Sequence, residues 1–311
     1  MNVLFKKLRS LGLLLTDSNE RMNFLNYRGF ARFISDERLI RKKFKKAFGR
    51  ELNLENPQTF NEKIQWLKLY DHRPEYPLMV DKYEVKKIVS DKIGSDYVIP
   101  LIGVYNNFDE IDFDKLPDKF VLKCTHNSGG LTICRDKSKL DIPAVRESMS
   151  RALLQNYYWN EREWAYKDIT PRIIAEEYVQ DGERINLPVY KILTFNGEPK
   201  VIQAIQDDKT DYETIDYFDT DWNKLPFRQN FPNSKTPYSK PEKLDLMLEL
   251  TAKLSADIPL VRIDWYTVGD KIRFSEFTFY SDAGFAPFDP PEWDYTLGSW
   301  VELPKEKHIS D

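Results

Sequence analysis

The sequence predicts a mixed fold of strands and helices, α/β or α+β, of the kind that carries enzymes. Three observations lead there. Alternating segments pair about short turns: Val189 to Thr194 with Lys200 to Ile205 about Asn196-Gly197, and Val261 to Tyr266 with Ile272 to Thr278 about Val268-Gly269-Asp270-Lys271. Amphipathic helical stretches stand between such segments. With 311 residues, 41% hydrophobic and 31% charged, the chain is long enough for a substantial core in one large domain or two to three subdomains.

Charge and cysteine usage narrow the class. No run of 18 apolar residues exists, so no membrane-spanning segment is expected. Lys6, Lys7 and Arg9 interrupt the apolar start, and no small-residue cleavage site follows, which argues against a signal peptide. Cys124 and Cys134 lack a second pair for a zinc site and fit a reduced, cytoplasmic setting. His72, His126 and His308 are too few for a multi-histidine metal centre. Residues 1–50 hold 13 Lys/Arg and 4 Asp/Glu, a charge of +9, so the remainder carries −4 − 9 = −13. Within them Arg38 to Phe48 reads as a basic helix. Its cations suit either water or an anionic lipid surface or polymer. Nucleic acid is disfavoured by the acidic whole and the absence of a reading motif.

Each element has its own local reason. Thr59 or Asn61 caps a helix whose apolar face is Ile64, Leu67 and Leu69-Tyr70. A second helix is expected from about Tyr76 to Ile93. Tyr97 to Tyr105 is strand-like around Pro100, and Lys119 to Cys124 and Leu131 to Cys134 are strands joined through a Gly-containing turn. A helix from about Ile142 to Tyr157 precedes a strand from Arg172 to Val179. Residues 208–240 lack periodicity and read as a long loop, and Glu242 to Ala256 is an amphipathic helix.

The chemistry gathers in two places. In the last hairpin Arg262, Asp264 and Tyr266 share one face, as do Phe274, Glu276 and Thr278, because strand side chains repeat every two residues. Antiparallel pairing can bring Asp264, Glu276 and Thr278 together as hard oxygen ligands suited to Mg²⁺; ordinary outward-facing charges are the alternative. Upstream, Lys123 ends a strand and Thr125-His126-Asn127-Ser128-Gly129-Gly130 follows, a loop whose backbone can close over phosphates or simply turn a hairpin. No Gly-Lys-Ser/Thr occurs, so it is not a Walker loop.

The order of these pieces is that of ATP-grasp enzymes: Val80-Asp81-Lys82, then Phe120 to Lys123 with Ser128-Gly129-Gly130, Ile174 to Val179, Lys191, Arg262-x-Asp264 and Glu276-x-Thr278. The chain resembles the TupA-like ATP-grasp family, named for teichuronopeptide synthesis and found among cell-surface polysaccharide genes. Thr59 to Lys68, Asp81-Lys82-Tyr83, Tyr190-Lys191 with Phe195-Asn196-Gly197, Phe277 to Tyr280, Pro287 to Pro290 and Glu292 to Trp300 carry the resemblance, over roughly residues 50–304. It implies an α+β ATP-grasp fold, two antiparallel-sheet subdomains clamping ATP, with a helical N-terminal extension. The implied division is 1–50 basic extension, 51–117 helical region, 118–180 lid subdomain and 181–311 subdomain with the metal site.

The resemblance also implies roles. Lys82 and Lys123 match lysines that hold the α- and β-phosphates, and Ser128, Gly129 and Gly130 match the lid. Glu176 with the backbone of Glu177 and Val179 matches the strand that reads adenine; a one-residue slip exchanges Glu176 and Glu177. Lys191 matches a lysine near the γ-phosphate, and Asp264, Glu276 and Thr278 match the Mg²⁺ ligands, with Thr where Asn is usual. Arg262 matches an arginine that stabilises a charged tetrahedral state. The expected activity is an ADP-forming carboxylate–amine ligase of surface polysaccharide synthesis, cytoplasmic, with possible membrane contact through the basic N-terminal region. Two other enzymes compete with this expectation, a glycosyltransferase using Asp219-Thr220-Asp221 and an ATP-grasp sugar kinase; a binding module without catalysis is the non-enzymatic alternative. Trp222, Arg228, Tyr238, Tyr280 and Trp293 are candidates for contact with a saccharide acceptor.

Overall fold

The computed structural model describes residues 30–180, 182, 187–206 and 212–309. The first helix, α1 (Asp36–Phe48), buries Leu39, Ile40 and Phe44 and stops at Gly49, whose left-handed φ of 67° lets its N–H reach Lys45 O. Helix α1 joins the main core, where Ile40 and Phe44 pack. The part of the basic segment before residue 30 lies outside the described residues. Helix α2 (Phe60–Tyr70) begins in a capping box, with Thr59 and Glu62 each satisfying the other's backbone N–H.

The single helix expected over 76–93 is two, α3 (Tyr76–Val80) and α4 (Glu84–Ile93). Asp81 makes the break. Its backbone is extended, and its carboxylate accepts from the N–H groups of Tyr83 and Glu84, opening a new helix. Strand β1 (Leu101–Tyr105) starts only after Pro100, β2 (Phe120–Cys124) and β3 (Leu131–Cys134) form a hairpin, and α5 (Ile142–Leu153) and α6 (Tyr158–Glu161) precede β4 (Ile173–Glu177). These four strands form one antiparallel sheet in the order β1-β4-β2-β3. One face, with Phe120, Leu122, Cys124, Ile173 and Ala175, packs on α5 through Met149. Cys124 and Cys134 are buried there as free thiols.

The second sheet holds β5 (Val189–Phe195), β6 (Glu198–Gln206), β7 (Thr214–Phe218), β8 (Leu260–Val268) and β9 (Lys271–Thr278), ordered β7-β6-β5-β8-β9. Asn196 and Gly197, at φ of 54° and 82°, make the tight turn expected between β5 and β6. Strand β7 corrects the reading of 208–240 as loop. It is a short edge strand whose pattern is masked by polar flanks. Helix α7 (Leu244–Leu254) covers the sheet, with Trp265 Nε1 donating to Thr251 Oγ1 at 2.8 Å, and α8 (Glu292–Trp300) packs against α2.

Candidate active site

The two sheets and the helices around them line one cleft of about 1170 Å³, generous for a small-molecule site, which usually spans about 300–1,000 Å³. Register decides which side chains enter it. Val121 lies opposite Glu176 and Lys123 opposite Ile174, so Lys123 and Glu176 share the cleft face while Ala175 and Leu122 face the core. Glu176, 4% exposed, is thus the inward carboxylate, and Glu177 is exposed beside the cleft. Glu176 is bridged by two ammonium groups, Lys123 Nζ at 2.6 Å and Lys86 Nζ at 2.5 Å. Burial opposes the charge of Glu176, but the two lysines outweigh it and hold its pKa below the ordinary carboxylate value. For Lys123 burial is likewise overcome, by Glu176, and its pKa rises.

The break between α3 and α4 matters here. Lys82 is fastened to the loop after β2 twice: its N–H donates to Thr125 O at 3.1 Å and its Nζ to Asn127 O at 2.6 Å. Burial lowers the Lys82 pKa, against the pull of Glu276. Arg172 steadies this corner, donating to Asp81 at 2.8 Å and Glu84 at 2.9 Å with its guanidinium 4.6 Å from the Tyr83 ring centre. Ser128 and Gly129 line the cleft; Gly130 stands behind them. A Cβ on Gly130 would lie 2.8 Å from Cys124 Sγ, and its φ is 63°, so this glycine is required for packing of the turn. Val98, Ile99, Val121, Val179 and Leu187 supply apolar walls.

On the second sheet a transverse row crosses three strands: Lys191 on β5 opposite Asp264 on β8, and Asp264 opposite Glu276 on β9. Arg262 and Thr278 form the neighbouring pair. Lys191, Glu276, Arg262 and Thr278 line the cleft. Asp264, 2% exposed, sits beneath them, with both carboxylate oxygens accepting from Arg262, at 2.7 and 2.9 Å. Arg262 also donates to Thr278 Oγ1 at 3.1 Å. Burial opposes the Arg262 charge, yet Asp264 raises its pKa, so it is a permanent cation. The alternation expected for Phe274 with Glu276 and Thr278 is broken by an irregularity at Ser275. Phe274 lies opposite Trp265 and meets its ring edge-on.

The row fits a hard cation by its chemistry. Two opposed carboxylates and a hydroxyl are oxygen donors, and each Asp264 oxygen has used one lone pair on Arg262. Among the described residues no cluster of three His, Cys, Asp or Glu forms a wholly protein-built metal cage.

Several expected positions fall elsewhere. Of the acceptor candidates only Tyr280 lines the cleft. Trp222 stacks on Phe218 at 4.1 Å, Tyr238 donates to Thr214 O, Trp293 packs on Phe227 at 4.7 Å, and Arg228 pairs with Asp289. The three aromatics pack in the β7 region, and Arg228 makes an exposed ion pair there. In the triplet Asp219-Thr220-Asp221, Asp219 caps a turn, accepting from the N–H groups of Asp221 and Asn223, and the triplet is not in the cleft. Conversely Lys43 and Lys46 of α1, Lys86 of α4, Glu161, Glu163 and Asp282 line it. The sequence marked Lys43 and Lys46 only as part of the basic helix Arg38 to Phe48, and nothing local in it marked Lys86, Glu161, Glu163 or Asp282 as cleft residues.

A family model described as TupA-like ATPgrasp matches residues 62–302. Comparison with curated proteins finds no match. Among solved structures, a D-alanine–D-alanine ligase from Bacillus anthracis complexed with ATP is 13% identical over 65% of this chain and 54% of its own, with a TM-score of 0.39. An L-amino acid ligase from Bacillus licheniformis is 14% identical over 81% of this chain and 55% of its own, with a TM-score of 0.43. The chain spans about half the length of each. The family match runs from within α2 to just past α8 and so takes in both sheets that line the cleft: the chain belongs to the TupA-like ATP-grasp family.

Proposed function

We propose that this protein is an ATP-dependent, ADP-forming ligase that joins a carboxylate to an amine, with a uronic acid of a cell-surface polysaccharide precursor as the carboxylate and an amino acid or amino alcohol as the amine. The observation that carries the reading is one cleft with a lysine-rich wall on the first sheet and the Lys191–Asp264–Glu276 row with Arg262 on the second. The polysaccharide setting rests on the family resemblance. The reaction is placed in the cytoplasm, with membrane contact through the basic N-terminal residues as part of the same proposal. No described helix is long and apolar enough to cross a membrane.

A carboxylate is a poor acyl donor because its oxygen leaves badly; a phosphoryl group transferred to it from ATP turns that oxygen into part of a good leaving group. Lys82 and Lys123 hold the phosphates by charge, the apolar wall beside Glu177 and Val179 receives the base, and Lys191 lies where negative charge accumulates. Glu276, Asp264 and Thr278 are the residues that would hold Mg²⁺, which would neutralise phosphate charge. Arg262, kept charged and immobile by Asp264, faces the oxyanion that forms when the amine attacks. Incubation with ATP, Mg²⁺ and a panel of uronic and amino acids, with hydroxylamine as trap, tests this. ADP with hydroxamate is expected; UDP release from a UDP-sugar, or ADP with a phosphosugar and no hydroxamate, would overturn it.

A further inference from the structure

Part of the cleft is lined by Glu161 at the end of α6, by Glu163 in the segment after it, and by Asp282 and Ala283 of the turn after β9, with α2 behind them. The α2 stretch Thr59 to Lys68, part of the family resemblance, acts here as a platform. Gln65 Nε2 donates to Ala283 O at 3.1 Å and Gly284 O at 2.7 Å. Lys68 Nζ donates to Ala283 O at 2.6 Å, Glu161 O at 2.9 Å and Gln65 Oε1 at 3.1 Å. These bonds hold Asp282 and Ala283 in left-handed conformations, φ 48° and 52°, where non-glycine residues rarely settle. A turn so constrained, opening on the cleft, is a built surface.

Three carboxylates stand there. Glu161 is paired with Lys43 at 2.7 Å. Asp282 is exposed and accepts from Asn230 at 3.0 Å. Glu163 differs from both: it is 5% exposed, lines the cleft, and has neither a hydrogen-bond donor on its carboxylate nor an ion pair within 4 Å among the described residues. It is also rigidly set. Arg162 before it is buried, with its guanidinium 4.8 Å from the Trp159 ring centre and paired with Asp36, and Trp164 after it stacks on His72 at 4.7 Å. A buried carboxylate without a donor is unfavourable unless a ligand supplies one.

We propose that Glu163 docks the amine of the second substrate in its cationic form and takes its proton, which makes the nucleophile a primary ammonium rather than a hydroxyl. The assignment rests on the ligase reading. The balance is as follows. The ammonium gives one proton to Glu163. The freed nitrogen lone pair forms the C–N bond, the C–O bond to phosphate breaks with its electrons leaving on oxygen, and the second nitrogen proton goes to the departing phosphate. Charged neighbours frame the group: Lys68 from α2, Glu161 on its own segment, Asp282 from the turn and Arg262 from β8, with the phenols of Tyr157, Tyr166 and Tyr280 also facing it. Burial raises the Glu163 pKa towards neutrality against the attraction of Lys68, which gives it the basicity a proton acceptor needs.

The test uses the full chain as wild type, Glu163→Gln and Glu163→Asp, each first shown by calorimetry to bind ATP alike. In protein labelled with ¹³C at the glutamate carboxyl, the resonance lost in Glu163→Gln identifies Glu163, and ethanolamine should shift it saturably; no shift overturns the docking site. With an acid that yields hydroxamate, Glu163→Gln should lower ethanolamine-dependent ADP release about 10²–10⁴-fold and flatten its rise with pH, while hydroxamate, from a nucleophile already neutral, changes about tenfold or less. Glu163→Asp should recover part of the loss. Equal loss with both nucleophiles, or none, overturns the proposal. If the wild type forms no hydroxamate with any acid the ligase reading fails, and the resonance alone then decides whether Glu163 binds an amine.

Discussion

At the proposed nucleotide end of the cleft the buried carboxylates Glu176 and Asp264 meet cations inside the protein: Glu176 lies between Lys86 and Lys123, and Asp264 is gripped by Arg262. At the acceptor end Glu163 is as deeply buried and has no such partner, while the nearby ammonium of Lys68 is engaged by Gln65, Glu161 and Ala283. The first arrangement keeps cations fixed and charged before a polyanion arrives, a preorganisation that lowers the reorganisation needed on binding. The second leaves a single carboxylate for a cation to satisfy. On the proposed ligase reading, the first end meets phosphates, whereas the second must distinguish its acceptor from other small molecules. An unsatisfied buried group serves that second need, since it rejects ligands that fail to complete it.

The largest effect should come from the metal row. Glu276→Gln keeps size but removes charge, and Mg²⁺-dependent ADP formation should fall by more than the ~10²–10³ typical of losing one electrostatic contact. Wild-type ADP formation at limiting Mg²⁺ would remove Glu276 from the site. Arg262→Ala should lose about 10²–10³ in turnover. It should also destabilise the fold by about 3–5 kcal/mol, because Asp264 is left buried without its guanidinium. A melting temperature equal to wild type would show that the pair is not the anchor it looks to be.

Lys123→Ala comes next. Losing one charge-assisted contact of about 1.5–3 kcal/mol should weaken ATP binding about 10- to 100-fold by calorimetry, with Lys86→Met smaller because Lys86 is also tied to Ile99 O. Equal effects would mean that Lys86 meets the nucleotide directly.

The contrast between the ends also has a pH signature. Glu176 is lowered, so the stability it lends is present above the ordinary carboxylate pKa and disappears as pH falls through its folded value. Glu163 is raised, so its sign is reversed: stability is full below the ordinary carboxylate pKa, about 4.3, and is lost as pH rises through the folded value. Glu163→Gln should therefore melt a few degrees above wild type near pH ~8 and level with it near pH ~4. A gap that widens towards acid would sink the assignment. The smallest effect belongs outside the cleft. Arg228→Ala breaks an exposed pair and should change stability by about 1 kcal/mol or less, with turnover unaltered; lost activity would bring the β7 region back as an acceptor surface.

Much of the nucleotide wall was legible in the sequence because strand alternation and antiparallel order are local. Lys123, Glu276 and Arg262 were named from two-residue periodicity and motif order, and the pairing of Asp264 with Glu276 followed from one hairpin. The choice between Glu176 and Glu177 was not available at that level. A slip of one residue exchanges faces, and only the register Val121 to Glu176 shows that Glu176 is the one turned inward. The same holds for Asp264, a ligand by spacing but by contact the partner of Arg262.

What the tertiary structure alone decided lies where distant segments meet. Lys86 joins Glu176 across 90 residues because Asp81 breaks a helix the periodicity had made continuous. Basic helix α1, outside the matched family span, turns Lys43 and Lys46 to the cleft because its apolar residues need the main core. Glu163 sits between Arg162 and Trp164, just before the short turn Trp164–Tyr166, without period or motif to mark it. Alternation and capping are short-range steric and hydrogen-bonding rules, written into neighbouring residues. Burial and loss of solvent are properties of what packs around a group, so the character of Glu163 exists only once α2, the turn after β9 and its own segment have closed on it.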